Sequence, residues 1–410
     1  MRILFIVPYT PSLIRTRPYN LIQGLRNRGH QVTLATLWSS EEELDQLGEL
    51  AGTGVEVIAK ELQPWRSFWN CLKAIQDTVP LQGWYCWQPQ LAQALLVELQ
   101  KRSYAVVHVE HLRGVRYALA LTNGNNGKTR SGVPIVWDSV DCISHLFHQA
   151  QSEGPTLKTR LIAGMELNRT CKYEAWLANR LNRILVTSEA DQQAFLELGK
   201  DSNGQSRLQE RLSILPNGVY LDYFCPNGER RQPSTLVFSG KMSYHANVAA
   251  ALHLLREIMP GVWSRCPDVK LWIVGKEPPR ELKALANGRV HLTGLVDDLR
   301  PYLRGATVAV SPVVYGAGIQ NKVLEALACA TPTVATSRAT AALDVIHGHE
   351  LVIADQAESF SQAIVDLLEQ PEKRTALGRQ GRKFVEKNHS WDAITTQLEE
   401  IYGNEIEGQL

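Results

Sequence analysis

The chain has 410 residues, with 43 Lys and Arg against 42 Asp and Glu and a formal net charge of +1. That length supports two domains with sizeable cores, and the balanced charge excludes a dominant electrostatic attraction to nucleic acid. Seven scattered cysteines include no Cys-x-x-Cys pair and no His/Cys metal spacing, so reduced thiols in a cytosolic protein are expected.

Ile3 to Val7 is a short apolar run that Pro8 ends, too brief for the core of a signal peptide. It reads instead as a central parallel strand. A loop over Pro8 to Arg17 leads into a helix from Pro18 to about Arg28, with Gly29 as its stop. Val32 to Leu37 is the next strand. Residues 64–89 are rich in tryptophan; Trp65, Trp69, Trp84 and Trp87 line an acceptor groove, touch a lipid surface or fill the core, the last being favoured. Further strands are predicted at Ala105 to Val109, Pro134 to Trp137 and Ile184 to Val186, with a long helix over Lys158 to Leu181. The tract 123–132 is a surface loop by composition.

A second cycle begins near Ser213, with strands at Leu236 to Phe238, Lys270 to Val274, Val290 to Leu292, Val308 to Val310 and Thr333 to Ala335. Trp391 to Tyr402 is an amphipathic helix. Strands alternating with helices in both halves predict two doubly wound α/β domains, with ligands at the carboxyl ends of the strands. No run of about 18 apolar residues predicts a transmembrane helix. No Gly-x-Gly-x-x-Gly follows the first strand, which argues against a nicotinamide enzyme.

The segment Ser311 to Ala335 carries the most chemistry. Gly316 and Gly318 precede a short helix, where free backbone N–H groups and the helix dipole favour an anion. Lys322 can meet a phosphate, and Glu325 can accept two hydrogen bonds from vicinal hydroxyls. Together these suit a nucleotide diphosphate, although an ordinary strand–helix–strand unit with a solvated Lys and Glu would read the same. At the end of an earlier strand, Gly240 lets the backbone approach a ligand and Lys241 follows it. The plain alternative there is a helix start with a solvated lysine. Pro216-Asn-Gly218 is a turn signal.

These segments resemble retaining glycosyltransferases of family 4, which have the GT-B fold. The resemblance spans nearly the whole chain and is most specific from Leu215 to Ala335. Glu325 matches the second glutamate of the family's donor motif; the first falls on Ala317 and is missing. Gly318-Ile-Gln-Asn-Lys-Val-Leu-Glu-Ala326 is similar to a subgroup associated with exopolysaccharide and cell-surface glycan assembly. The family's second phosphate lysine falls on Asn247, and Lys322 is a candidate replacement.

The resemblance implies two Rossmann-like domains facing across a cleft, residues 1–210 on the acceptor side and 211–388 on the donor side. A C-terminal helix, 389–410, would return to the first. The implied activity is transfer of a sugar from a nucleotide-diphosphate sugar to a hydroxyl of a glycan, lipid-linked or small acceptor. No metal or other cofactor is expected. Location is cytoplasmic, with peripheral contact at the inner membrane face open. A GT-B nucleotide-sugar epimerase and a non-catalytic GT-B-like binding protein remain as alternatives.

Lys241 and Lys322 would stabilise the leaving diphosphate, with Gly240, Asn247, Gly275, Thr293, Gly318, Ile319, Gln320, Asn321 and Glu325 around the donor. Glu110 or His111 would face the transferred sugar. On the acceptor side Arg15 and Arg17 either supply charge or pair with surface carboxylates, and Asp138 and Asp141 either bind hydroxyls or cap the next helix, capping being favoured for Asp141. Glu166, Tyr173, Glu174 and Ser188 match structural positions of the subgroup, and Asp297-Asp298 reads as a cap rather than a metal ligand.

Overall fold

The computed structural model describes residues 1–12, 15–122, 127–153, 157–200, 208–228, 230–242, 244–315 and 320–408. The chain divides into two compact units, Met1–Pro216 with Ile394–Leu410, and Asn217–Ala393.

The first unit is built on seven parallel strands: β1 (Arg2–Val7), β2 (Gln31–Trp38), β3 (Glu56–Glu61), β4 (Val106–Glu110), β5 (Ile135–Val140), β6 (Arg183–Val186) and β7 (Leu212–Ile214). Their order is β3-β2-β1-β4-β5-β6-β7. β1 and β4 are buried almost throughout because helices cover both faces, which is why they read as unbroken apolar runs. The order reverses between β1 and β4, so the loops leaving these two strands diverge and open a crevice at their carboxyl ends.

The helix after β1 runs Thr16–Asn27, two residues earlier than Pro18 suggested. Gly29 ends it at φ +85°, with its N–H on the Arg26 carbonyl and the His30 N–H on that of Leu25. The long Leu157–Arg180 helix lies where its pattern placed it. β3 was not anticipated: it is a half-exposed edge strand whose apolar run is only Val57 to Ala59.

The second unit holds six parallel strands: β8 (Thr235–Ser239), β9 (Lys270–Val274), β10 (Val290–Leu292), β11 (Val308–Ser311), β12 (Thr333–Ala335) and β13 (Val352–Ile353). The order β10-β9-β8-β11-β12-β13 reverses between β8 and β11. Two doubly wound sheets of this kind make the GT-B class of α/β fold.

The final helix, Trp391–Glu407, belongs to the first unit from Ile394 onward. There Gly24 leaves room for Thr395, since a Cβ at Gly24 would come within 2.2 Å of its hydroxyl oxygen. Glu399 pairs with Arg28 at 2.6 Å, Glu405 with Arg183 at 2.8 Å, and the Tyr402 hydroxyl meets His108 Nδ1 at 2.8 Å. Among the described residues, no helix is long and apolar enough to cross a membrane.

Candidate functional site

In the second unit the loops leaving β8 and β9 are zipped together. Gly240 N–H donates to the Val274 carbonyl at 3.0 Å and Met242 N–H to that of Lys276 at 3.0 Å. A Cβ on Gly275 would lie 1.8 Å from the Gly240 carbonyl oxygen, so only glycine permits this approach. Gly275 in turn bridges Gly294, beside Thr293, whose hydroxyl donates to the Gly294 carbonyl at 2.9 Å. The result is a side-chain-free floor at the carboxyl ends of β8, β9 and β10.

Over that floor the helix Asn321–Ala328 brings in Lys322 and Glu325, one turn apart. Lys322 Nζ donates to Asn247 Oδ1 at 2.5 Å and reaches Gln320 Oε1 at 3.4 Å. The Asn247 amide N–H₂ is held by the Lys241 carbonyl at 2.9 Å, which turns its oxygen toward the ammonium. Lys322 thus delivers its charge to the place where position 247 supplies none. Lys241 itself is exposed, and Asn321 stands exposed at the helix start.

Burial pushes the Lys322 ammonium down to about 8, with Glu325 acting the other way. Burial pushes the Glu325 carboxyl up to about 7, opposed by Lys322. Among the described residues, no hydrogen-bond donor reaches the Glu325 carboxylate. Both groups are thus poised for ligands that restore their charges. Gly316, Ala317, Gly318 and Ile319 lie outside the described residues.

Two side chains that sequence reasoning passed over join this site. His245 follows β8 and Tyr315 follows β11; their rings stack at 5.5 Å and His245 Nδ1 meets the Tyr315 hydroxyl at 2.8 Å. His245 lies only a few positions past Gly240, but its partner is 70 residues away. Asp298 accepts from the Arg300 N–H at 2.8 Å and pairs with its guanidinium at 2.7 Å. A separate hollow of about 1210 Å³, lined by Arg230, Arg374, Arg379 and Lys383, lies at the opposite ends of the strands, beside Ser234, Thr307 and Pro332. It shares none of the groups above.

In the first unit β4 ends at Glu110 and the next helix starts at His111, in register beside Asp138 of β5. His111 has φ +62° and Val140 φ +67°, both in the left-handed region. Such strain in non-glycine residues, β-branched in the second case, clusters at functional sites. Tyr9 donates to Glu110 Oε1 at 2.8 Å, while Glu110 Oε2 is buried with no partner among the described residues. Burial, with the Asp138 charge adding to it, pushes Glu110 up to about 8. His111 is pushed down to about 3 by burial and by Arg113, so it is neutral. Its Nδ1 accepts from the Arg113 N–H at 3.2 Å, which leaves the proton on Nε2 as a free-standing donor.

On the acceptor side the structure pairs several of the candidate residues with groups of the protein itself. Arg17 and Asp138 are both buried and bond each other through two contacts, 2.9 and 3.1 Å. His108 Nε2 stands 3.6 Å from the same carboxylate. Asp138 therefore presents no oxygen to an acceptor. Arg15 pairs with Glu43 at 3.1 Å, the surface-carboxylate alternative. Asp141 does not cap the helix Ile143–Glu153. Glu174, from the long helix, accepts the N–H groups of Ile143 at 2.8 Å and Ser144 at 3.0 Å instead. Burial and Asp191 push Asp141 up to about 7. Ser188 caps its helix, accepting from the Asp191 N–H.

Comparison with known proteins bears on these arrangements. Residues 14–218 match the glycosyl transferase 4-like domain and residues 233–370 match glycosyl transferases group 1. A phosphatidyl-myo-inositol mannosyltransferase of Mycobacterium leprae is 27% identical over 244 residues, 55% of this chain and 60% of the relative. The lipopolysaccharide core biosynthesis glycosyltransferase LpsE of Rhizobium meliloti is 31% identical over 140 residues, 32% of this chain and 41% of the relative. The match thus spans about half the length of these curated relatives. Among solved structures, Anabaena HepE in complex with UDP and glucose superposes with a TM-score of 0.68 at 16% identity, covering 98% of this chain and 100% of that one. Sucrose-phosphate synthase of Thermosynechococcus elongatus gives 0.67 at 18% identity, covering 98% of both chains. These likenesses establish the fold, and the matched halves establish the family: the chain belongs to the glycosyl transferase 4-like family, with a group 1 domain as its second unit.

Proposed function

We propose that the chain is a retaining glycosyltransferase that moves a sugar from a nucleotide-diphosphate sugar to a hydroxyl of a glycan or lipid-linked acceptor. The observation that carries this reading is the Lys322 ammonium held at Asn247, beside the glycine floor and one turn before Glu325, whose carboxylate no hydrogen-bond donor reaches among the described residues. Glu325 takes the two ribose hydroxyls. Lys322 and Lys241 meet the diphosphate. The bond from the sugar's anomeric carbon to the phosphate oxygen breaks as the bond to the acceptor oxygen forms. The acceptor's proton passes to the departing diphosphate, and the acceptor oxygen attacks the anomeric carbon on the same face from which the diphosphate leaves. Charge developing on that diphosphate is met by positioned ammonium groups, the role a divalent ion fills in other transferases. In the first unit, neutral His111 offers its Nε2–H to a sugar hydroxyl and Glu110 offers its open oxygen.

Thermal stability against UDP-, GDP-, ADP- and TDP-sugars tests the donor. Ligand at about 100 times its dissociation constant adds roughly 2.7 kcal/mol to the folded state. One base is expected to raise Tm by several degrees, and Glu325→Ala is expected to abolish that shift because both ribose hydroxyls lose their partner. An undiminished shift in Glu325→Ala refutes the ribose role. Sugar isomerisation without any acceptor points to an epimerase.

Donor affinity should also depend on pH with two flanks. Binding needs Glu325 ionised, which holds above about 7. It needs Lys322 charged, which holds below about 8. The expected affinity profile is a narrow bell between these values, belonging to the coupled pair. Glu325→Gln should remove the acidic flank while lowering affinity throughout. A flat profile from pH 6 to 9 counts against both assignments.

A further inference from the structure

The helix Pro64–Ile75 is inside out. Its inward face carries Ser67, Asn70 and Ala74, all buried, while Trp65, Phe68, Trp69, Leu72 and Ile75 face solvent. Phe68 is 61% exposed and Ile75 68%, against 3% for Asn70. Large apolar residues at this i, i+3, i+4, i+7 spacing ordinarily pack on a core. Core is the favoured reading of Trp65 and Trp69 from the sequence, and the structure corrects it, since both are more than half exposed. Trp84 and Trp87 do pack inward: Trp84 Nε1 donates to Asp77 at 2.8 Å, and Arg116 lies over both rings.

Polar bonds hold the helix in this orientation. Asn70 Nδ2 donates to the Trp87 carbonyl at 2.8 Å, and Arg169 of the long helix donates to the carbonyls of Asp77 and Val79, just past the helix end, at 2.7 and 2.8 Å. A rotation that hid the aromatic rings would break these bonds. One to two turns before Arg169, the long helix exposes Leu161, Ile162 and Met165 as well. Large apolar side chains exposed together on a helix face in this way mark an interaction site.

Charge identifies the occupant. Residues 64–75 and 160–165 contain no Asp or Glu, whereas Arg66, Lys73 and Arg160 stand among the apolar side chains. Aromatic rings interspersed with cations along one helix face suit the boundary between lipid headgroups and acyl chains. A second copy of the chain docking here would set these cations against their own kind, which costs energy. We propose that this face is a docking surface for an anionic lipid bilayer, with Trp65, Phe68 and Trp69 entering the headgroup region and Arg66 and Lys73 against lipid phosphates. The proposal stands independently of the transfer reaction.

Co-flotation of the full chain with vesicles tests it, using phosphatidylglycerol mixed with phosphatidylcholine beside phosphatidylcholine alone. Thermal unfolding serves as the fold control for each variant. The wild type should float with the anionic vesicles and lose binding as salt rises. Arg66→Gln and Lys73→Gln should each weaken binding about fivefold. The triple variant Trp65→Gln/Phe68→Gln/Trp69→Gln should weaken it roughly a hundredfold at an unchanged or higher Tm, since exposed residues contribute little to the core. The proposal is overturned by absence of flotation, by equal flotation with neutral vesicles, or by full binding of the triple variant. Dimerisation in lipid-free buffer that the triple variant abolishes also overturns it, and assigns the face to a second copy.

Discussion

Replacing Lys322 with methionine is expected to lower kcat by two to three orders of magnitude, about 2.7–4 kcal/mol of transition-state stabilisation. Methionine keeps the unbranched stem that passes over the Phe238 ring, where Lys322 Nζ lies 5.4 Å from the centroid, and removes only the ammonium. Turnover should fall more than donor affinity, because the diphosphate carries its greatest charge as it departs. The structure also offers a rescue. Lys322 Nζ and Asn247 Oδ1 are 2.5 Å apart, so a lysine grown from position 247 reaches the same place. Lys322→Met/Asn247→Lys should recover most of the lost turnover, whereas Asn247→Lys alone crowds two ammonium groups together and should be impaired. A double variant as slow as Lys322→Met would show that the position of the charge is not what Lys322 contributes.

Asp138→Asn is expected to destabilise the protein by about 3–5 kcal/mol, because it strands the buried Arg17 guanidinium without its counter-charge. In a unit of this size that lowers Tm by roughly 10 °C. Arg17→Met/Asp138→Leu should be far less destabilised than either single change, since it removes both charges at once. Had Asp138 been an acceptor contact, its loss would raise KM at constant Tm, so the two readings separate cleanly. Acid should act through the same pair. Burial raises the Asp138 carboxyl, but Arg17 and His108 outweigh it and hold its pKa below the ordinary value. Its share of stability is therefore complete above the unfolded-state value and lost as pH falls through the folded one.

Much of the architecture was legible because it rests on local pattern. β1, β9 and β11 are buried parallel strands whose residues are apolar in succession, and each read as such. β3 and the two-residue β13 did not, since apolar runs as short as Val57 to Ala59 and Leu351 to Ala354 do not by themselves separate a strand from a buried helix segment. At the candidate site, the sequence suggested that Lys322 replaces a missing charge at position 247, and the two side chains meet. The acceptor side failed for a physical reason. Arg17 and Asp138, 121 residues apart, each had a ligand contact as one reading and a local partner as the other, yet each is satisfied by the other. Likewise Asp141 had the spacing of a cap, but Glu174 reaches the same N–H groups from another helix. Sequence spacing reports which groups can act locally; long-range pairing decides which are left free.

The closing helix also bears on biosynthesis. Thr395, Glu399, Tyr402 and Glu405 complete packing and ion pairs begun by Gly24, Arg28, His108 and Arg183. Those earlier groups are translated between 222 and 371 residues ahead of their partners in the closing helix. The first sheet therefore waits, with His108 Nδ1 lacking its Tyr402 partner and a strip of helical cover missing, until the entire second unit has been synthesised. Contacts of such sequence separation are slow to form, and the waiting surface is open to association with other nascent chains. Any tag or cut that disturbs residues 394–407 acts on the maturation of the amino-terminal half, although it lies at the opposite end of the chain.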